Sequence, residues 1–275
     1  MTYFKSRTAI VAVKALSALT AAAAVHFASV GESHAIEDPV AFVAREAGAK
    51  LIRAGNYELL ENGPDGAIVS LTHTIDIGKE LQEASQEVTT NFYVRLKQEN
   101  GAWRVVSSSG STPRSLLWQH GLFRKHSAAT MAKQLSMDEN IASLFRERML
   151  LATSTDDVLV DHFRKRRPDF DAIRDAIKSA PSNEYGRVDL TPQIRDLFGK
   201  AKVAYADKQV LPDDVSEQSG CMGDDCFTLA IAFAPPEFKI GYFYMKDAGK
   251  IPSMTVREYL LVRPLGDGWY LFRQN

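Results

Sequence analysis

The sequence predicts an α+β protein built of two helix-plus-antiparallel-sheet units joined by a helical segment. Three observations carry that prediction. Apolar residues recur at helical spacing over 38–52, 115–151 and 153–177; runs with a period of two follow in each half; and each half has a glycine turn leading to Trp, at Asn100-Gly101-Ala102-Trp103 and Asp267-Gly268-Trp269. The boundaries that follow are 1–35 for an export segment, 36–110 for a helix with a curved antiparallel sheet, 111–152 for a helical connector and 153–275 for a second α+β unit.

The first 35 residues read as a cleavable signal peptide. Lys5 and Arg7 precede the alanine- and leucine-rich stretch 15–25, and Ser33-His34-Ala35 places small residues where a signal peptidase needs them, so cleavage is expected after Ala35. Lys14 shortens the apolar run well below the ~20 residues that span a bilayer, which argues against a retained anchor. No stable membrane span is expected after cleavage. The remaining 240 residues carry 30 basic and 33 acidic side chains, a net charge of −3 that gives no broad electrostatic footprint for nucleic acid. A periplasmic or secreted destination is expected.

In the first unit, Asp38 is a candidate N-cap, Pro39 fits the first turn, and Gly55-Asn56 is expected to end the helix. The runs 67–77 and 88–97 then read as strands. In the second of these, Phe92, Val94 and Leu96 alternate with Tyr93, Arg95 and Lys97, which predicts a sheet with one face on a core and one charged face. Asn100-Gly101 turns the chain into a paired strand over 103–106. After Gly110-Ser111-Thr112-Pro113 the pattern becomes helical. Met137, Ile141, Leu144, Phe145 and Met149 lie at helical spacing, with Ser136 or Asp138 able to cap them.

Two short helices broken at Pro168 are expected next, with Asp169 as the cap of the second. The rest reads as strands over 202–205, 226–234, 240–245, 257–263 and 269–273, with Asp267-Gly268 forming the last hairpin. The echo of a glycine turn followed by Trp in each half is what a duplication would leave, but common hairpin chemistry leaves it too.

Cys221 and Cys226 are the sequence's two cysteines. An even count in an exported chain favours a disulfide, a local clip ahead of the strand beginning at Phe227. A thioredoxin-like redox pair normally has two intervening residues at a helix start, and a zinc site needs two further ligands, so neither fits.

The second half resembles small exported bacterial proteins of unknown function, through 162–173 (HFRKRRPDFDAI), Gly241-Tyr242-Phe243-Tyr244 and 265–271 (LGDGWYL). That resemblance implies a helical start with an antiparallel sheet and brings no activity. The first half, with its helix, sheet and Gly-x-Trp-Arg-Val ending, is similar to the nuclear-transport-factor-2-like cone, which implies a pocket between sheet and helices.

His73 and Asp76 are the candidate catalytic pair, since a carboxylate can orient an imidazole as a general base. Strand alternation weakens the pairing by pointing them to opposite faces. His120 and His126 lie six apart, do not match a zinc-protease pairing, and are expected at the surface. Asp156, Asp157 and Asp161 could suggest a divalent metal, but acidic residues also gather at helix starts, and no metal site is predicted. The basic run 164–167 reads as a solvated helix end neutralised by Asp169, Asp171 and Asp175. No nucleophile elbow or phosphate-binding glycine loop occurs, and no cofactor is expected.

The aromatic residues Tyr242, Tyr244, Tyr259 and Trp269 should fall on both faces of their sheet. Some are therefore expected outside the core, as anchors for a partner. The reading that follows is an exported, non-enzymatic binding or accessory protein of the bacterial envelope, of inhibitor or immunity type, whose partner is another exported protein. The alternative is a hydrolase or small-ligand carrier with a pocket in the first half.

Overall fold

Asp38 opens the first helix as its position in the sequence requires: its Oδ1 accepts from the amides of Val40 and Ala41 at 2.9 and 3.0 Å. The helix, α1 (Pro39–Ala49), is the first element of a computed structural model. It describes residues 37–49, 54–64, 66–80, 86–112, 114–210, 221–234, 238–255 and 259–274. The predicted export segment and its cleavage point at Ala35 lie outside these residues.

Four strands follow as a sequential antiparallel meander: β1 (Ala54–Asn62), β2 (Gly66–Asp76), β3 (Glu87–Glu99) and β4 (Ala102–Gly110). Gly55-Asn56 does not end a helix but lies within β1, a strand the sequence pattern does not announce. Gly55 runs so close to β2 that a Cβ there would sit 2.4 Å from Thr72 Oγ1. Asn100 and Gly101 take positive φ of 54° and 79°, the type I′ geometry expected of an Asn-Gly hairpin.

One face of this sheet buries Val69, Leu71, Val94 and Leu96 against Phe42 and Val43 of α1. The opposite face, which carries Tyr93 and Arg95, was expected to meet solvent. It packs on the second half instead. Tyr93 is buried within the large second core, and Arg95 donates from Nη1 to the Met254 carbonyl at 2.8 Å.

Three helices then follow, α2 (Arg114–Lys125), α3 (Ala128–Leu135) and α4 (Glu139–Ala152). They are more than a connector, because Leu116, Phe123, Met131, Ala142, Met149 and Ala152 all belong to the second core. Asp138, one of the two expected caps, accepts from the amides of Asn140 and Ile141. Two further helices, α5 (Asp156–Lys165) and α6 (Arg167–Ser179), break at Pro168 as expected, but Arg166 takes the N-cap position and Asp169 sits in the first turn. Helix α7 (Pro192–Ala201) is unannounced, and Lys202, expected in a strand, ends it in the left-handed conformation with φ 57°.

The second sheet has five strands in the order β10-β11-β9-β8-β5, formed by β5 (Tyr205–Asp207), β8 (Cys226–Ala234), β9 (Phe238–Met245), β10 (Tyr259–Gly266) and β11 (Trp269–Gln274). Its strand number and order differ from those of the first sheet, and the glycine turns ahead of Trp103 and Trp269 each close a hairpin, β3–β4 and β10–β11. Alternation divides its side chains between two cores. Ile240, Tyr242, Trp269 and Leu271 face α5, α6 and α7, through Phe163, Phe170 and Phe198. Phe243, Met245 and Phe272 point the other way, into a smaller cluster with Val210, Cys226 and Tyr259.

A two-stranded flap, β6 (Gln209–Val210) with β7 (Cys221–Met222), supplies Val210 to that second cluster, with Cys221 packed at its edge. The Cys221–Cys226 disulfide ties the flap to β8. The bridge is therefore the local clip the spacing suggests, and it helps cover the sheet's outer face. Gly241 pairs with Ala230 beside a register shift in the β8–β9 ladder, and a Cβ there would be 2.0 Å from the Leu229 carbonyl oxygen.

Candidate functional site

The residues singled out in the sequence do not converge. Asp76 Oδ1 accepts from the amides of Gly78 and Gln86 at 3.0 and 2.9 Å, which commits the carboxylate to the turn leaving β2. His73 lies partly buried on β2, opposite Thr90 of β3. The first sheet packs α1 on one face through Phe42 and Val43, and on the other face Tyr93 and Arg95 reach residues of the second half.

Tyr242, Tyr259 and Trp269 are 0%, 3% and 0% exposed, and a partner cannot reach them. Tyr244 is only partly buried, stacked on Phe227. The expectation of an aromatic binding face assumed that one face of the sheet would be bare. The flap and the helices cover both.

The three aspartates considered as a metal cluster each hold an arginine instead. Asp156 pairs with Arg273 at 2.8 Å, Asp157 with Arg263 at 3.4 Å and Asp161 with Arg164 at 3.8 Å. Among the described residues no group of three or more His, Cys, Asp or Glu side chains could hold a metal ion.

His120, expected at the surface, is half-buried. Thr153 Oγ1 donates to the Met149 carbonyl at 2.9 Å, so its lone pair is open to the Nδ1–H of His120, 2.5 Å away. Burial, aided by Arg124, pushes the His120 pKa down to about 4.

The same logic fixes His162. Tyr242 donates its hydroxyl proton to the Leu159 carbonyl at 2.9 Å and so accepts from His162 Nδ1 at 3.1 Å. That leaves His162 Nε2 as a buried acceptor without a partner among the described residues. Burial lowers the His162 pKa to about 4, helped by the positive charges of Arg166 and Lys202.

Arg166 and Lys202 also line a cleft of about 660 Å³ between the α5–α6 junction and α7. Helix α7 contributes Pro192, Arg195, Asp196, Gly199 and Lys200. Its start is fixed by Thr191, whose hydroxyl accepts from the Ile194 amide at 3.3 Å, with Pro192 in the first turn. Ile194, Phe198 and Ala201 bury the opposite side of the helix in the second core, which turns Arg195 and Gly199 outward.

Three of the four cations hold carboxylates: Lys200 holds Asp196 at 2.8 Å, Arg166 holds Asp169 at 3.5 Å, and Lys202 holds Glu147. Arg195 has no carboxylate partner among the described residues, and its Nη2 donates only to the Leu190 carbonyl at 3.4 Å. With Arg166, Arg195, Lys200 and Lys202 against Asp196, the lining carries an excess of positive charge suited to holding oxyanions.

Sequence reading missed this site because Arg166 lies 29 positions before Arg195, at the α5–α6 junction rather than on α7. One signal was available: Thr191-Pro192 ahead of Ile194, Phe198 and Ala201 marks a helix start, and Arg195 and Gly199 then fall on its outer face. No family model, curated protein or solved structure matches this chain.

Proposed function

We propose that this chain is an exported, non-enzymatic binding or accessory protein of the bacterial envelope, of inhibitor or immunity type, acting on another exported protein. The cationic cleft carries the reading, because four cations against one aspartate in its lining suit the docking of an anionic group. The Cys221–Cys226 disulfide supports an oxidising destination, and none of the described helices is long and apolar enough to cross a membrane.

Two measurements test the reading. The N-terminal residue of the protein recovered from the periplasm is expected to be Ile36. Chemical cross-linking in intact cells, followed by mass spectrometry, is expected to join the chain to one specific envelope protein through lysines bordering the cleft, Lys200 and Lys202. An unprocessed chain confined to the cytoplasm would sink the export reading, and cross-links scattered without a recurrent partner would sink the binding one.

A further inference from the structure

We propose that the cleft between Arg166 and α7 is the docking site for an acidic segment of a partner polypeptide, with Arg195 as its anchoring cation. The inference rests on the binding reading above and names the chemistry of the partner.

Charge is the first argument. Arg195 presents a planar fork of donors that fits a carboxylate in two hydrogen bonds, and the chain supplies it with one carbonyl at 3.4 Å. The neighbouring cations are held by weak, exchangeable pairs. The side chains of Lys200 and Asp196 are 52% and 66% exposed, and pairs so open to water contribute little to the fold. A carboxylate arriving at Arg195 could therefore recruit Lys200 at small cost.

Gly199 supplies the second argument, independent of charge. It stands one helical turn after Arg195, inside a helix where glycine is about 1 kcal/mol less favourable than alanine. A Cβ at this position would meet nothing within 4 Å, so no packing of the chain on itself requires the glycine. Its absent side chain leaves a stretch of helix backbone bare in the cleft, where a second chain can approach closely.

Shape selects the occupant. A site for a small molecule encloses most of its ligand, whereas this cleft is open along α7. Arg195, Gly199 and Lys202 fall at i, i+4 and i+7, a line along which an extended segment can lie.

The test uses the chain recovered from the envelope and a fluorescein-labelled twelve-residue peptide of alternating Glu and Gly, followed by anisotropy at low ionic strength. Saturable binding is expected, weakened on the order of tenfold by Arg195→Glu and by Gly199→Gln, the second a neutral helix former that fills the gap. A Lys/Gly peptide of the same length should not bind.

His162 gives a local readout. Its ring faces Arg166, Lys202, Asp169 and Tyr242, and a bound carboxylate that offsets the two cations should raise its NMR-monitored pKa from about 4. Equal peptide affinity in wild type and both variants would overturn the proposal, as would an unmoved His162. So would Arg195-dependent binding of inorganic phosphate or phosphatidylglycerol vesicles without binding of the peptide. If Arg195→Glu retains the wild-type envelope partner at full strength, the cleft is wrong and the binding reading survives. If the wild type has no partner, the binding reading fails on its own.

Discussion

Arg273 on β11 and Asp156 at the start of α5 form an ion pair of 2.8 Å in which the side chains are 0% and 2% exposed. Asp156 also accepts at Oδ2 from the Tyr93 hydroxyl of β3 at 2.8 Å, and its backbone amide donates to Asn91 Oδ1 at 2.9 Å. The rest of the guanidinium is spent on the carbonyls of Ser111, Ala152 and Ser154. A buried charge is tolerable only when its partners satisfy it, and here they come from both sheets and from the helices between.

Arg273→Met leaves the Asp156 carboxylate buried without its counter-charge. The expected loss is about 3–5 kcal/mol of unfolding free energy, read as a lower urea midpoint. Tyr93→Phe removes one hydrogen bond to a charged group and should cost about 1.5–3 kcal/mol. Because Tyr93 belongs to the first sheet and Arg273 to the second, the wild type should lose the two halves in one transition. Separate melting of the halves in the wild type would contradict the role given to this network.

Lower pH should destabilise the fold through His120 and His162. Both have folded pKa values near 4, below the ordinary value of 6.5, so the unfolded chain binds protons first as pH falls. The stability they contribute is intact above about 6.5 and is lost progressively from there to about 4. Urea midpoints measured between pH 7 and 4.5 should fall, with a shallower slope in the His120→Gln/His162→Gln double variant. An unchanged slope would show that neither ring is held neutral by the fold.

Reduction of Cys221–Cys226 frees the flap from β8. The closed loop is short, so the entropic share of the loss should be about 2 kcal/mol. The consequence specific to this fold is exposure of the cluster around Phe243, Met245 and Phe272. Binding of a hydrophobic dye should rise in Cys221→Ser/Cys226→Ala while far-ultraviolet dichroism stays near wild type.

Gly241→Ala should be among the most damaging small substitutions. Its methyl group would meet the Leu229 carbonyl oxygen at 2.0 Å in the middle of the sheet, and neither backbone can retreat without breaking the β8–β9 ladder. A loss of at least about 3 kcal/mol is expected in the same urea titration. Gly199→Ala, with open space around it and a better helix former in place, should instead raise the midpoint slightly.

Local chemistry was legible wherever one residue decides a conformation. Asp38 caps, Asn100-Gly101 and Asp267-Gly268 turn, Pro168 breaks a helix, and two nearby cysteines pair. Strand β1 was not legible, because AGNYELLEN has neither a β-branched run nor clean alternation and is held by its neighbour. The face of β3 that carries Tyr93 and Arg95 looked solvated because polar residues usually are. Here Tyr93 is buried and Arg95 half-buried against partners 63 and 159 residues away, which no local pattern announces. The candidate site shares that difficulty: Arg166 and Arg195 become neighbours only when α7 docks.

The Arg273–Asp156 pair also decides which parts of the chain depend on one another. The two residues are 117 positions apart, and Asp156 is held as well by Tyr93 and Asn91. A chain without β11 would leave that carboxylate enclosed beside the first sheet with no counter-charge, which a low-dielectric site does not tolerate. One ion pair thus makes the first sheet and the last described strand answer for each other.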